Sequence, residues 1–180
     1  MLIETPIREL GQVDCLELTQ RVLGAPESAW HEDDRRQRDY DVHAQTQSII
    51  LTFCEGWPKV QVTKAKGWEV FAGAAVPVMK AIVARHYPPR GSVLRAMFAR
   101  LQPGCRIARH RDSHPSFSVA HRIHVPLVTN PDVEFIVGTE RIPPRAHYAF
   151  ELNNKMAHEV TNNGTTTRIH LIFDYAPPST

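Results

Sequence analysis

The chain has 180 residues, 42% hydrophobic and 22% charged, with a formal net charge of +2. This is the composition of an ordinary soluble globular domain, and it gives no electrostatic case for nucleic acid or an anionic membrane as partner. No run approaches the ~18 consecutive apolar residues of a membrane span. The N-terminal MLIETPIREL lacks a signal-peptide core, and three widely spaced cysteines (Cys15, Cys54, Cys105) without a CxxC argue against a disulfide framework and for a cytoplasmic setting.

In chain order, Val13 to Leu23 places Val13, Leu16, Val22 and Leu23 at helical spacing, and Gly24 stops the helix. The charged stretch ESAWHEDDRRQRDYDVH reads as a solvated loop. DVHAQTQSIIL (41–51) follows, and its SIILTF portion (48–53) is a buried strand candidate. His43 and Gln47 are substrate-side candidates there, because polar side chains where a strand begins often line a pocket. The alternative is an exposed strand start with ordinary hydrogen bonding. A second helix is expected over 70–87, kinked by Pro77 or regular only beyond it. From Val93 the texture changes to short segments rich in Val, Ile, Phe and Tyr: VLRAMFARLQ, RIHVPLV, VEFIVG, HYAFEL and TRIHLIFDY. Turn signals at 103–104, 129–132, 137–140, 143–145 and 162–164 separate them. Closely spaced short strands of this kind argue for a sandwich or jelly-roll barrel. Trp30, Trp57 and Trp68 read as packing residues, and Cys105 as a small buried hydrophobe.

Histidine stands out, with 10 in the chain and five between 110 and 147. His110, Arg111 and Asp112 form an H-x-D triplet after a strand-like segment. Residues two apart in a strand share a face, so an imidazole and a carboxylate can aim at one point. His158 lies 46 residues beyond Asp112. Two histidines and one carboxylate match the facial triad that leaves positions open on Fe(II). Arg168 follows His158 by 10 residues. In a barrel that offset brings it to the same cavity, where its planar fork suits a carboxylate. A metal-chelating 2-oxo acid with a far carboxylate would satisfy both. The bland alternative is a rim pairing of Arg168 with Asp174 or Glu159. His114 and His121, in the 110–121 segment that can act as a lid, read as surface or supporting residues.

LQPGCRIARHRD, the R-x-H of HRIHVPLV and MAHEVTNNGTTTRIHLIFDY together resemble the aspartyl/asparaginyl β-hydroxylase-like group of Fe(II)/2-oxoglutarate dioxygenases, over roughly residues 93–178. No repeat, low-complexity tract or linker divides the chain, so one domain is expected over 1–180. In it, 1–92 supports a catalytic core at 93–178, for which the resemblance implies a double-stranded β-helix. The same resemblance implies that His110, Asp112 and His158 bind Fe(II). It also implies that Arg168 holds 2-oxoglutarate with help from His124, that Arg122 lies near the substrate, and that O2 is the oxidant. The reaction expected is hydroxylation of an unactivated C–H, with 2-oxoglutarate converted to succinate and CO2. Asp112 departs from the vertebrate protein-modifying members, which have glycine there. It is similar instead to bacterial members acting on small molecules or lipids, and it argues against a halogenase. Arg122 and His124 share a strand face, so Arg122 needs a counter-charge of its own. A carboxylate or phosphate on a small-molecule, peptide or lipid substrate would supply it; an internal bridge to Glu134 or Glu151 is the alternative. A non-redox, cupin-like metal-binding module or isomerase is the competing function.

Overall fold

The computed structural model describes residues 3–33 and 41–178. Two antiparallel sheets face each other. The larger contains β1 (Ile7–Gln12), β2 (Thr46–Glu55), β3 (Gln61–Lys64), β4 (Ser92–Leu101), β6 (His121–Val128), β9 (Tyr148–Leu152) and β11 (Arg168–Ala176). Its strand order is β1-β9-β6-β11-β4-β2-β3. The smaller has the order β5-β10-β7-β8, from β5 (Arg106–His110), β7 (Val133–Val137), β8 (Glu140–Arg141) and β10 (His158–Asn162). From β4 onward the chain alternates between the sheets, with only the β7–β8 hairpin staying in one. That alternation is the jelly-roll, double-stranded β-helix arrangement. The larger sheet is not the property of residues 93–178 alone, since β1, β2 and β3 extend it at both edges.

Two-residue periodicity sorts β11 into two chemistries. Ile169, Leu171, Phe173 and Tyr175 face the helices and join the main core, while Arg168, His170, Ile172 and Asp174 fall on the opposite face. Between the sheets, Phe135, Phe150, Leu152 and Val160 form a second apolar cluster.

The helices α1 (Leu16–Leu23) and α2 (Lys66–His86) cover the outer face of the larger sheet. In α1 the buried residues are Leu18, Thr19 and Val22, whereas Leu16 and Leu23 are exposed, contrary to the periodicity read from 13–23. The helix begins at Leu16 with Cys15 at its N-cap, so Val13 is outside it and the inward face is set by packing on α2. α2 starts earlier than the apolar pattern suggests and runs unbroken through the exposed Pro77. It is long and apolar enough to cross a bilayer, yet Phe71, Ala75, Val78, Met79 and Ile82 pack into the sheet-side core. Each large side chain buried there contributes about 1.5–3 kcal/mol. Gly67 permits the approach: a Cβ there would lie 2.5 Å from the Ile50 carbonyl oxygen. The charged run 34–40 lies outside the described residues.

Candidate active site

His110 ends β5 and His158 begins β10, and the register places them directly opposite one another. Their ring centroids are 4.3 Å apart. Asp112 lies just past the strand, where its backbone N–H donates to the Asn154 carbonyl at 3.3 Å. Ligand atoms of His110, Asp112 and His158 all lie within 4.8 Å of one another. Each imidazole is oriented from behind: His110 Nδ1–H donates to the Ala108 carbonyl at 2.8 Å and His158 Nδ1–H to the Met156 carbonyl at 3.0 Å. In the neutral rings this leaves both Nε2 lone pairs for a cation, which is the tautomer a metal-binding histidine needs. Burial pushes the His158 pKa down and favours the neutral ring. Two imidazoles and a carboxylate at this spacing fit a divalent metal, and the donor set suits iron.

Arg122, on β6, holds the carboxylate. Its Nη1 donates to Asp112 Oδ2 at 2.9 Å, while Nε and Nη2 donate to Asp174 at 2.8 and 3.0 Å. Asp112 therefore keeps Oδ1 toward the histidines, 3.9 Å from His110 Nε2. Burial opposes the Arg122 charge, but Asp112 and Asp174 outweigh it and hold the guanidinium above its ordinary pKa. Asp174 also faces Arg95 Nη1 at 3.4 Å. The expectation that a substrate anion neutralises Arg122 is thus corrected. Asp174 sits opposite Arg122 in the strand register, and two internal carboxylates already meet the charge. Glu134 and Glu151 are engaged elsewhere, Glu134 with Arg141 and Glu151 with His121, Arg8 and Tyr87.

Arg168 is 1% exposed on the inner face of β11. The two rim acids weighed for it are also taken, Asp174 as above and Glu159 by Arg109 at 3.0 Å. Its Nη2 donates to His170 Nδ1 at 2.8 Å. His170 is fully buried, and burial together with the Arg168 charge drives its pKa well below the usual histidine value. His124 stacks on Phe150 at 5.2 Å, and its Nδ1 is 3.4 Å from that of His170. His170, Asp174 and Arg95 were not foreseen as site residues. The signal for the first was a second R-x-H, Arg168-Ile169-His170, repeating Arg122-Ile123-His124. Asp174 lies an even number of residues from Arg168 on the same strand.

A cavity of about 350 Å³ opens beside the triad, lined among others by His43, Phe53, Arg95, Met97, His114 and Phe117. His43 reaches it, edge-on to His110 with centroids 5.5 Å apart. Gln47 does not. It sits on the helix-side face of β2, where it accepts from Arg100 Nε at 2.7 Å and lies 3.1 Å from His31 Nε2. A one-residue change of parity along a strand decides the face, and Gln47 shares its parity with the core residues Ile49 and Leu51. None of the three tryptophans lines the cavity. His121 is buried against Glu151 at 2.6 Å, and Cys105 is half-buried.

Alternating strands and a convergent two-histidine, one-carboxylate cluster define a jelly-roll protein with a candidate metal site between its sheets. A model of the aspartyl/asparaginyl β-hydroxylase family matches residues 17–178, and the chain belongs to that family of enzymes. No curated protein sequence matches it. Among solved structures, the nickel complex of the non-heme monooxygenase ThoJ is similar with a TM-score of 0.59 and 16% identity, covering 96% of this chain and 74% of that one. An oxidoreductase of the 2OG-Fe(II) oxygenase family from Burkholderia pseudomallei gives 0.55 and 14%, covering 78% and 76%. A Pseudomonas putida prolyl-4-hydroxylase gives 0.54 and 15%, covering 98% and 95%. At these identities the likeness is one of fold.

Proposed function

We propose that the protein is an Fe(II)- and 2-oxoglutarate-dependent dioxygenase that hydroxylates an unactivated C–H bond of an amino-acid-like small molecule or peptide. The observation that carries this reading is the convergence of three ligand atoms whose histidine tautomers are set by backbone carbonyls. His110, Asp112 and His158 would hold the iron. Arg168 would take the far carboxylate of 2-oxoglutarate, with His124 and His170 beside it, and His43 would stand on the substrate side. Iron supplies the redox chemistry when bound: substrate, O2 and 2-oxoglutarate become hydroxylated substrate, succinate and CO2. The chain's own contributions are geometric and electrostatic. Arg122 turns one Asp112 oxygen away from the histidines, and Arg168 places a guanidinium on the buried inner face of β11. An anionic group on the substrate loses its main support, because Arg122 is matched internally.

The test is anaerobic Fe(II) titration followed by succinate formation from 2-oxoglutarate. His110→Ala and His158→Ala should each lose iron binding and turnover, since a facial site with two anchors binds weakly. Arg168→Met should keep Mn(II) affinity while weakening 2-oxoglutarate by roughly 2–5 kcal/mol, and Arg168→Lys should restore only part. Wild-type iron affinity in both histidine variants would overturn the triad. Iron binding without succinate formation would point to the non-redox metal module.

A further inference from the structure

The segment joining β5 to β6 walls the cavity beside the triad with Arg111, Asp112, Ser113, His114 and Phe117. Within it, Pro115–Ser118 forms a 3-10 turn with His114 as the N-cap. The Ser116 backbone N–H donates to His114 Nδ1 at 3.2 Å. Ser116 Oγ lies 2.8 Å from that same nitrogen and 2.8 Å from Arg95 Nη1. An arginine only donates, so Ser116 Oγ accepts from Arg95 and passes its own hydrogen to His114 Nδ1. A ring nitrogen that accepts carries no proton. The imidazole of His114 is thereby fixed with its proton on Nε2, and no other described residue takes that N–H.

Among the described residues, the two largely buried cations beside the cavity are matched by acids. Arg95 and Arg122 meet Asp174 and Asp112, and the exposed Arg111 donates through Nε to the Lys155 carbonyl. Phe117 is held between Arg95 and Arg122, whose guanidinium carbons lie 5.2 and 4.3 Å from its ring centroid. With Phe53 and Met97 it gives the wall an apolar, aromatic character. A carboxylate entering this space would find the two largely buried guanidiniums, Arg95 and Arg122, already paired. A neutral carbonyl would find a preset donor beside an apolar surface.

We propose that His114 is the substrate-orienting hydrogen-bond donor of the site, and that the substrate presents a neutral carbonyl or amide oxygen on an apolar or aromatic body packed against Phe53, Met97 and Phe117. Naming the bound molecule a substrate rests on the dioxygenase reading above; the binding chemistry does not. The probes are 2-naphthamide and 2-naphthoate, which share a body and differ in charge. They are titrated against the metal-free full chain, so that the carboxylate cannot bind through a metal. Naphthamide should bind saturably and at least fivefold more tightly than naphthoate. His114→Phe, which keeps the ring volume and removes the donor, should weaken naphthamide about tenfold and leave naphthoate unchanged, while His114→Gln restores part of the difference. Long-range 1H–15N spectra should show His114 Nδ1 unprotonated in the free protein and Nε2 perturbed by naphthamide. The proposal is overturned if naphthoate binds as well as naphthamide, if neither binds, or if His114→Phe retains wild-type preference. Failure of iron binding or succinate formation would sink the dioxygenase reading and leave this fragment result standing.

Discussion

Arg122 joins two acids beside the triad through one guanidinium. It spans Asp112 and Asp174, and both carboxylates are nearly or fully buried. Truncating one partner of such a cluster costs far more than the cluster's net worth, because it strands a charge away from water. Arg122→Gln should therefore lower stability by about 3–5 kcal/mol in urea unfolding. It should also weaken Fe(II) or Mn(II) by roughly 10–100-fold, the usual cost of removing a group that orients a metal ligand. Arg122→Lys should rescue poorly, since one ammonium cannot serve both acids. Unchanged metal affinity in Arg122→Gln, with loss confined to substrate, would return Arg122 to substrate recognition.

At the level of elements, Glu151 on β9 ties four segments together. It accepts from Tyr87 at the end of α2 at 2.9 Å, pairs with His121 of β6 at 2.6 Å, and meets Arg8 of β1 at 2.8 Å. Burial alone would raise its pKa, but His121, Tyr87 and Arg8 outweigh burial and hold it below the ordinary glutamate value. A depressed folded pKa means stability that is present above the unfolded value and lost as pH falls through the folded one. Glu151→Gln should cost about 1.5–3 kcal/mol near neutrality. The gap from wild type should close as pH drops through and below the usual carboxylate range. A gap that persists undiminished in acid would show that packing, not the ionised carboxylate, holds β1 and α2 in place.

For the whole molecule, the site is a bridge between sheets. The triad hangs on β5, β10 and the segment after β5, whereas Arg168 belongs to β11 of the other sheet. A metal plus a dicarboxylate spanning them should stabilise the fold by mass action, about 2.7 kcal/mol at 100 times Kd. For a chain of this size that is roughly 5–10 °C in Tm. Mn(II) and 2-oxoglutarate together should exceed Mn(II) alone in a thermal scan, and Arg168→Met should lose only the second increment. No increment from 2-oxoglutarate in wild type would remove the bridge.

The local parts of this protein are written in its sequence. The β-rich texture after Val93, the H-x-D, the distal His158 and the position of Arg168 are short-range facts, because ligand chemistry and strand alternation need only a few neighbouring residues. Even the tautomer of His114 is set by Ser116, two residues away, although nothing in the sequence placed the Arg95 that completes the relay. Which groups meet across strands is settled by the packing of the sheets. The parity of β2 sent Gln47 to the helix side, the β6–β11 register put Asp174 opposite Arg122, and the N-terminal segment became an edge strand against β9. Each of these depends on non-local pairing, in which a shift of one residue exchanges the faces, so composition and spacing along a single strand cannot determine it.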